Sequence, residues 1–393
     1  MKSLLKNPAV ITGFILVVLI CVLFNPVIFG GKTFGSPDSL GPKSVGISLN
    51  KVQEETGEYP LWQPWIFSGM PTAEAFTNIS NLYFPEYLFR IIFSTGMLIQ
   101  LAHLILAGLG VLFLLRYLKC SYWASLLGAA GFMITPFMIT MIVFGHGSQM
   151  MTAAYIPWIM MMTIKIMEKP SFLHMGLLAI LMGFQLQRAH AQIAYYTWML
   201  AGAYVLYTIV INFKKPEKRT STLLGFSGFA GAAIIGIGIA LLIYLPSMEY
   251  TPFSVRGAGV SGGADYNYAT SWSFHPKEIL TFFLPSAFGF GGQTYWGFMP
   301  FTDYPNYMGI IVLLLAVYGL IAKRNQLSWF LLGSSLLALF ISFGKHFSMI
   351  YDLFFDFFPY FNKFRVPVMI LILVQFNMTV LCAIGLDALT ELK

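Results

Sequence analysis

One carboxylate stands where chemistry at a membrane edge would need it. Asp38 lies in the run FGSPDSLGPK (34–43), directly after the first long apolar stretch. Placed beside a hydroxyl acceptor, such a group acts as a general base. Ser-Pro-Asp-Ser is also good turn chemistry, so Asp38 has a purely structural reading as well. Arg188 and His190 occupy the short connection QLQRAHAQ (185–192), among Gln185, Gln187 and Gln192. A polar cluster so close to lipid is costly unless it lines a wet cavity or finds a partner. A lipid phosphate is one partner, because arginine holds phosphate through two parallel hydrogen bonds. Snorkelling of the guanidinium to the interface is the alternative. Lys363 and Arg365, in NKFRVP (362–367), sit where the last apolar segment begins; they either grip a phosphate or anchor a helix end.

Other candidates have weaker signals. His146 lies between two glycines in FGHGSQ (144–149). Gln100 and His103 share a helix face at i, i+3, the spacing of a buried helix–helix hydrogen bond. Glu54, Glu55 and Glu58 form a charged cluster that reads as a solvated face. Trp62 lies in YPLWQPWIFSGMP (59–71), Arg256 in RGAGVSGGADY (256–266), and Tyr295 and Trp296 in FLPSAFGFGGQTYWG (283–297). Aromatic faces beside glycines suit a lip that stacks a sugar ring or its acceptor, and equally suit interfacial anchoring. These glycines lack the strand-to-helix setting of a phosphate loop, so no nucleotide site is expected. Should Asp38 not serve, the next acids are Asp265, Glu278 and Asp303 of the second long loop. Cys21, Cys120 and Cys382 show no metal-type spacing and suggest no disulfide. No cofactor and no metal ligand set is expected, and a need for a divalent metal is left open.

The elements that must position these groups are membrane helices. The chain is 57% hydrophobic and 10% charged, with mean hydropathy +0.73. That composition excludes an ordinary soluble core. Ten apolar stretches are expected to span: 8–30, 89–115, 122–144, 149–167, 171–188, 191–212, 222–246, 305–322, 327–344 and 365–387. Their continuous apolarity excludes a barrel, and the backbone in hydrocarbon must satisfy itself, so they are helices. The first follows Lys2 and Lys6 like a signal peptide, but it is longer than a typical h-region and lacks a small-residue cleavage pattern. It is expected to stay as a helix.

Charge sets the orientation. With the N-terminus inside, the inner side holds 13 basic and four acidic residues, and the outer side ten basic and 12 acidic. This is the positive-inside pattern. The net charge of +7 therefore reports topology and gives no sign of nucleic acid. The whole chain, 1–393, reads as a single transmembrane helical domain with a first outer loop (31–88) and a second (247–304). An interfacial helix fits 345–364. Long outer loops are where function concentrates. No internal repeat supports an inverted-repeat transporter.

Four stretches carry a resemblance: YPLWQPWIFSGMP (59–71), RAHAQIAYY (188–196), WSFHPKEILTFFLP (272–285) and FNKFRVPVMILIL (361–373). Together, in this order, they resemble the YfhO family of bacterial membrane proteins, placed among the GT-C type glycosyltransferases. The resemblance implies a GT-C-like fold and location in the bacterial inner membrane. It implies transfer of a sugar from a polyprenyl-phosphate donor to a cell-envelope glycan or polymer on the outer face. It also implies an essential acid in the first outer loop, and the matching position is Asp38. It does not fix Arg188, His190, Lys363 or Arg365 residue by residue. Members of the family are usually longer, so the chain is expected to be a fragment or a short relative. Two rival classes stand beside this expectation: a transporter or flippase of lipid-linked sugars, which needs a polar path across the membrane, and a polysaccharide polymerase or ligase, which would lean on Arg256.

Overall fold

The computed structural model of the chain describes residues 7–66, 68–72, 82–257, 259 and 262–391. Residues 67 and 73–81 of the first outer loop, and 258, 260 and 261 of the second, lie outside them. Every stretch expected to span contains a helix, though 89–115, 122–144 and 149–167 are interrupted and the helix in 305–322 begins only at Ile310. Five helices are long and apolar enough to cross a membrane: Gly96–Tyr117, Gly147–Glu168, Ala191–Asn212, Pro216–Phe253 and Pro367–Thr390. Tyr122–Met133 and Pro136–Val143 add a sixth crossing if taken as one span bent by 40°. The bend falls at Pro136, whose ring has no N–H to continue the helical ladder. Pro8–Leu23, Phe172–Gln187, Ile310–Ala322 and Gln326–Ser342 are shorter apolar helices. Among the described residues the β structure is one antiparallel pair, Trp62–Gln63 with Met70–Pro71, and an isolated bridge between Ala287 and Gly289. The chain is an all-α membrane protein.

Burial divides the helices into centre and rim. Gly147–Glu168 and Pro367–Thr390 are 89% buried over their most apolar windows, whereas Pro216–Phe253 is 22% buried. The exposed side of that rim helix carries Leu223, Leu224, Ile234 and Leu242. Such a continuous apolar face would be an aggregation liability in water and is ordinary against lipid.

Between helices there is no hydrophobic drive to exploit in lipid, so close packing has to supply the attraction. Ile310–Ala322 and Leu371–Thr390 lie against each other through two glycines. A Cβ on Gly319 would stand 2.6 Å from the Leu381 carbonyl oxygen, and one on Gly385 would collide with the Leu315 carbonyl oxygen. Buried polar side chains in the bundle pair across helices: Gln185 Nε2 donates to Thr197 Oγ1 (2.8 Å), and Asn377 Nδ2 donates to Ser334 Oγ (3.0 Å).

Polar contacts segregate to two ends. At the basic end Ser121 N–H donates to Asp387 (2.7 Å), Tyr117 bonds Glu168, and Lys323 pairs with Glu391. At the other end the long loops meet one another. The first of these loops is more ordered than its composition suggests: Pro37–Thr56 is a 20-residue helix, and Pro85–Ile92 is a second helix. Asp38 is therefore not in a turn. Within 345–364 a helix runs from Ser348 to Phe357, with Met349, Leu353 and Phe357 exposed and Tyr351 and Phe355 buried.

The glycine contact makes a prediction. Gly385→Ala drives a methyl group into a carbonyl and should cost about 1–3 kcal/mol, the usual range for overpacking. Gly238→Ala, where a Cβ meets nothing within 4 Å, should be neutral or slightly stabilising. Thermal unfolding of the two variants in detergent checks this; equal melting temperatures would refute the tight-packing account.

Candidate functional site

Asp38 occupies the first turn of the Pro37–Thr56 helix. The turn is tied by Ser36 N–H donating to Ser39 Oγ (3.2 Å) and by Ser39 Oγ donating to the Ser36 carbonyl (2.9 Å). A carboxylate here meets the positive end of its own helix. The connection bearing His146 crosses directly over this turn. Gly145 has φ +90°, and a Cβ on it would come within 2.8 Å of Ser39 N. Only glycine permits both the backbone angle and the approach. The result is a contact between residues far apart in the chain: His146 Nε2 stands 3.1 Å from Asp38 Oδ2, with side chains 43% and 63% exposed. An accessible carboxylate held by an imidazole can take a proton from an incoming hydroxyl, provided the acceptor approaches within hydrogen-bond reach.

Asp303 joins this neighbourhood. Burial raises its pKa above the ordinary carboxylate value; His146 acts to lower it and Asp38 to raise it further. The segment is fixed by Gly292 N–H donating to the Thr302 carbonyl (2.8 Å). His190 lies on the same side, preceded by Ala189 at φ +54°. Its Nδ1 accepts the Ile193 N–H (3.3 Å) as the cap of the Ala191–Asn212 helix. Burial, then Arg256, then His146 push its pKa down to about 4, so the ring is neutral at neutral pH.

Two residues on, Gln192 ties this group to the segment before the last helix. Its Nε2 donates to the Arg365 carbonyl (2.5 Å) and to Tyr196 Oη (2.9 Å). Val366 is held at φ +61°, a costly conformation for a β-branched residue. The second outer loop locks on from the other side: Arg256 Nη1 donates to the Lys363 carbonyl (2.9 Å), Lys363 Nζ donates to the Gly262 carbonyl, and Ala264 N–H donates to the Asn362 carbonyl (2.8 Å). The Arg365 guanidinium lies over the rings of Tyr268 (5.3 Å) and Trp272 (5.8 Å). Among the described residues no carboxylate pairs with it.

Arg188 has a different setting. It is buried, 3.6 Å from Glu86 and over the Tyr83 ring at 4.4 Å. Glu86 also accepts from Arg90 (2.8 Å). Tyr83 bonds His103 Nε2 (2.7 Å) and the Tyr155 hydroxyl, while His103 Nδ1 bonds the Ile99 carbonyl (2.7 Å). The helix–helix partner expected of His103 is thus Tyr83, which precedes the Pro85–Ile92 helix. Gln100 packs against Gly147, and its Oε1 has no hydrogen-bond partner.

The aromatic candidates are scattered. Trp62, 54% exposed, covers Gly69. Tyr295 spends its hydroxyl on Glu278 (2.8 Å) and on the Met299 N–H (2.8 Å). Trp296 is exposed and tilts on Phe288 at 4.9 Å. Asp265 caps the short Tyr266–Ala269 helix, accepting from Asn267 N–H (3.0 Å). The structure therefore gathers Asp38, His190, Arg256, Lys363 and Arg365 at one end through His146 and Gln192. No described contact joins Trp62, Tyr295 or Trp296 to that group. Glu86 went unnoticed in the sequence, although Arg90 four residues on was a visible signal. No protein-family model matches the chain, and no curated protein matches it either.

Two outcomes are expected. His190 has a folded-state pKa below its ordinary 6.5, so the unfolded chain binds more protons as pH falls from 6.5 towards about 4. Stability is lost across that window. His190→Asn keeps a good helix cap and should flatten the fall in melting temperature between those pH values. Glu86→Ala strands the buried Arg188 charge and should cost about 3–5 kcal/mol; adding Arg188→Met should recover part of it. A double variant no more stable than Glu86→Ala would refute the pairing.

Proposed function

We propose that the chain is a membrane glycosyltransferase of GT-C-like architecture with ten spans. It moves a sugar from a polyprenyl-phosphate donor to a cell-envelope acceptor at the outer face of the bacterial inner membrane, with both termini cytoplasmic. The observation that carries this reading is the Asp38–His146 pair: an accessible carboxylate held at the loop end by a helix start and an imidazole. The resemblance to the YfhO family and the positive-inside charge pattern support it.

In this mechanism the donor enters from the bilayer with its phosphate at Arg365, steered by Lys363 beside it. The acceptor hydroxyl passes its proton to Asp38 while its oxygen attacks the anomeric carbon. The bond from that carbon to the phosphate oxygen breaks, and the electron pair leaves with the polyprenyl phosphate. Attack opposite the leaving group inverts the centre. Charge on the departing phosphate grows as the bond breaks, so a fixed guanidinium stabilises the transition state more than the ground state. His146 orients Asp38. Neutral His190 offers its remaining ring N–H without adding a charge. Arg188, buried beside the Glu86 that it shares with Arg90, supports the fold beneath. Trp62, Tyr295 and Trp296 remain candidates for contact with sugar or acceptor.

The test is transfer from a panel of polyprenyl-phosphate hexoses in membrane vesicles. Asp38→Asn should retain the helix start and lose ~10²–10⁴-fold in rate, the usual worth of general-base catalysis. His146→Ala should lose less, because Asp38 remains. Arg365→Ala should weaken donor binding. Transfer by Asp38→Asn within about twofold of the parent, far less than a base is worth, would remove Asp38 from the mechanism. The orientation has its own check: a cysteine at Ser44 should label from outside the cell, and one at Lys218 should not.

A further inference from the structure

The connection between the Ala191–Asn212 helix and the long rim helix, Pro216–Tyr250, reads NFKKPEKRTS (212–221). Lys214, Lys215, Lys218 and Arg219 stand there within six residues, with Glu217 the one acid among them. Lys214, Lys218 and Arg219 are exposed, and Lys215 is half-buried. The connection is braced: Lys215 N–H donates to the Asn212 carbonyl (2.9 Å), and Asn212 Nδ2 donates to Thr222 Oγ1 (3.1 Å). It belongs to the basic end, since a Cβ on Gly225, early in the rim helix, would come 3.0 Å from the Ile166 carbonyl oxygen, two residues before Glu168.

Other cations at this end are occupied. Lys323 pairs with Glu391, Lys165 lies over the Tyr117 ring (4.9 Å), and the Arg116 guanidinium lies over the Tyr122 ring (3.9 Å). Among the described residues no carboxylate pairs with Lys214, Lys215, Lys218 or Arg219. Crowding like charges raises the local potential and attracts anions. Below the cations the same helix turns apolar. Leu223 and Phe226 stand four and seven residues beyond Arg219, hence on its face of the helix. They are 52% and 42% exposed, while Thr222 and Gly225 on the other side are buried. A guanidinium one turn above open apolar side chains matches a molecule with a phosphate at one end and hydrocarbon at the other. Arginine can hold the phosphate through two parallel hydrogen bonds. A free phosphate would use only half of this surface, and a zwitterionic lipid would bring a second cation into a patch already positive.

We propose that residues 212–226 bind an anionic phospholipid, its phosphate at Lys218 and Arg219 and an acyl chain along Leu223 and Phe226. Basic clusters beside a membrane helix attract anionic lipid, each Lys or Arg being worth about fivefold in binding. The proposal is independent of sugar transfer and its residues, and its readout is lipid binding.

The experiment uses the full chain in a neutral detergent, with native mass spectrometry counting bound lipid. Dioleoylphosphatidylglycerol should bind at least about tenfold more tightly than dioleoylphosphatidylcholine, and millimolar inorganic phosphate should not displace it. Changing Lys214, Lys215, Lys218 and Arg219 together to Gln should weaken phosphatidylglycerol binding at least about tenfold. A charge-matched control, with the exposed Lys32, Lys43, Lys51 and Lys277 of the loop end changed to Gln, should keep the parent affinity. Arg219→Gln alone should lose about fivefold, which decides the matter even if the fourfold variant fails to insert. Equal affinity in the parent and Arg219→Gln would overturn the site. So would an equal loss in the charge-matched control, equally tight phosphatidylcholine, or displacement by inorganic phosphate.

Discussion

Hydrocarbon offers no hydrogen bonds, and that constraint arranges this molecule. Inside the bundle some polar side chains survive as mutual partners, Gln185 with Thr197 and the Asn377 amide with the Ser334 and Ser335 hydroxyls, while Gln375 is buried with both amide atoms unpartnered. Charges have been driven to the ends. The basic end uses them in short local pairs such as Lys323 with Glu391. At the loop end the same economy gathers Asp38, His146, His190, Arg256 and Arg365 within one polar layer.

Most of the positive-φ non-glycine residues lie on this side, Lys119 at the basic end being the exception. Ala189, Tyr360 and Val366 all have positive φ, and Gly145 stands at φ +90° over the start of the Pro37–Thr56 helix. Each non-glycine instance costs about 1–3 kcal/mol and persists only where surroundings over-determine it. Here they do. Gln192 holds the Arg365 carbonyl from the helix side, while Arg256 holds the Lys363 carbonyl from the loop side. Two independent elements thus fix the course of a segment whose guanidinium lies on two aromatic faces.

The sequence made the class legible because membrane helices announce themselves by composition alone. Every apolar stretch contains a helix, and five of these helices are long and apolar enough to cross a membrane, or six with the bent pair. Span length was harder to read: Ile310–Ala322 is 13 residues, shorter than its apolar run suggested. The Pro37–Thr56 helix was hidden because Pro42, two glycines and three serines look like loop chemistry. The site was half legible. Asp38 and His146 each stood out by type, but 107 intervening residues separate them, and no local pattern encodes that meeting. Arg188 and Arg365 looked alike in sequence, each an arginine at a helix end.

The difference between those two arginines shows why geometry has to follow composition. Arg188 is buried with Glu86 3.6 Å away, a carboxylate it shares with Arg90, so its charge is partly compensated inside the fold. A charge so compensated supports packing and has little left for a ligand. Among the described residues, Arg365 has the π faces of Tyr268 and Trp272 and no carboxylate. Such faces attract a cation without neutralising it, and they shield one side of it from water. The charge remains whole and the guanidinium is held in place. An anion arriving from the membrane would meet a donor already oriented, and little of its binding free energy would be lost in ordering the site. Of the two, Arg365 has the setting from which a phosphate can be held.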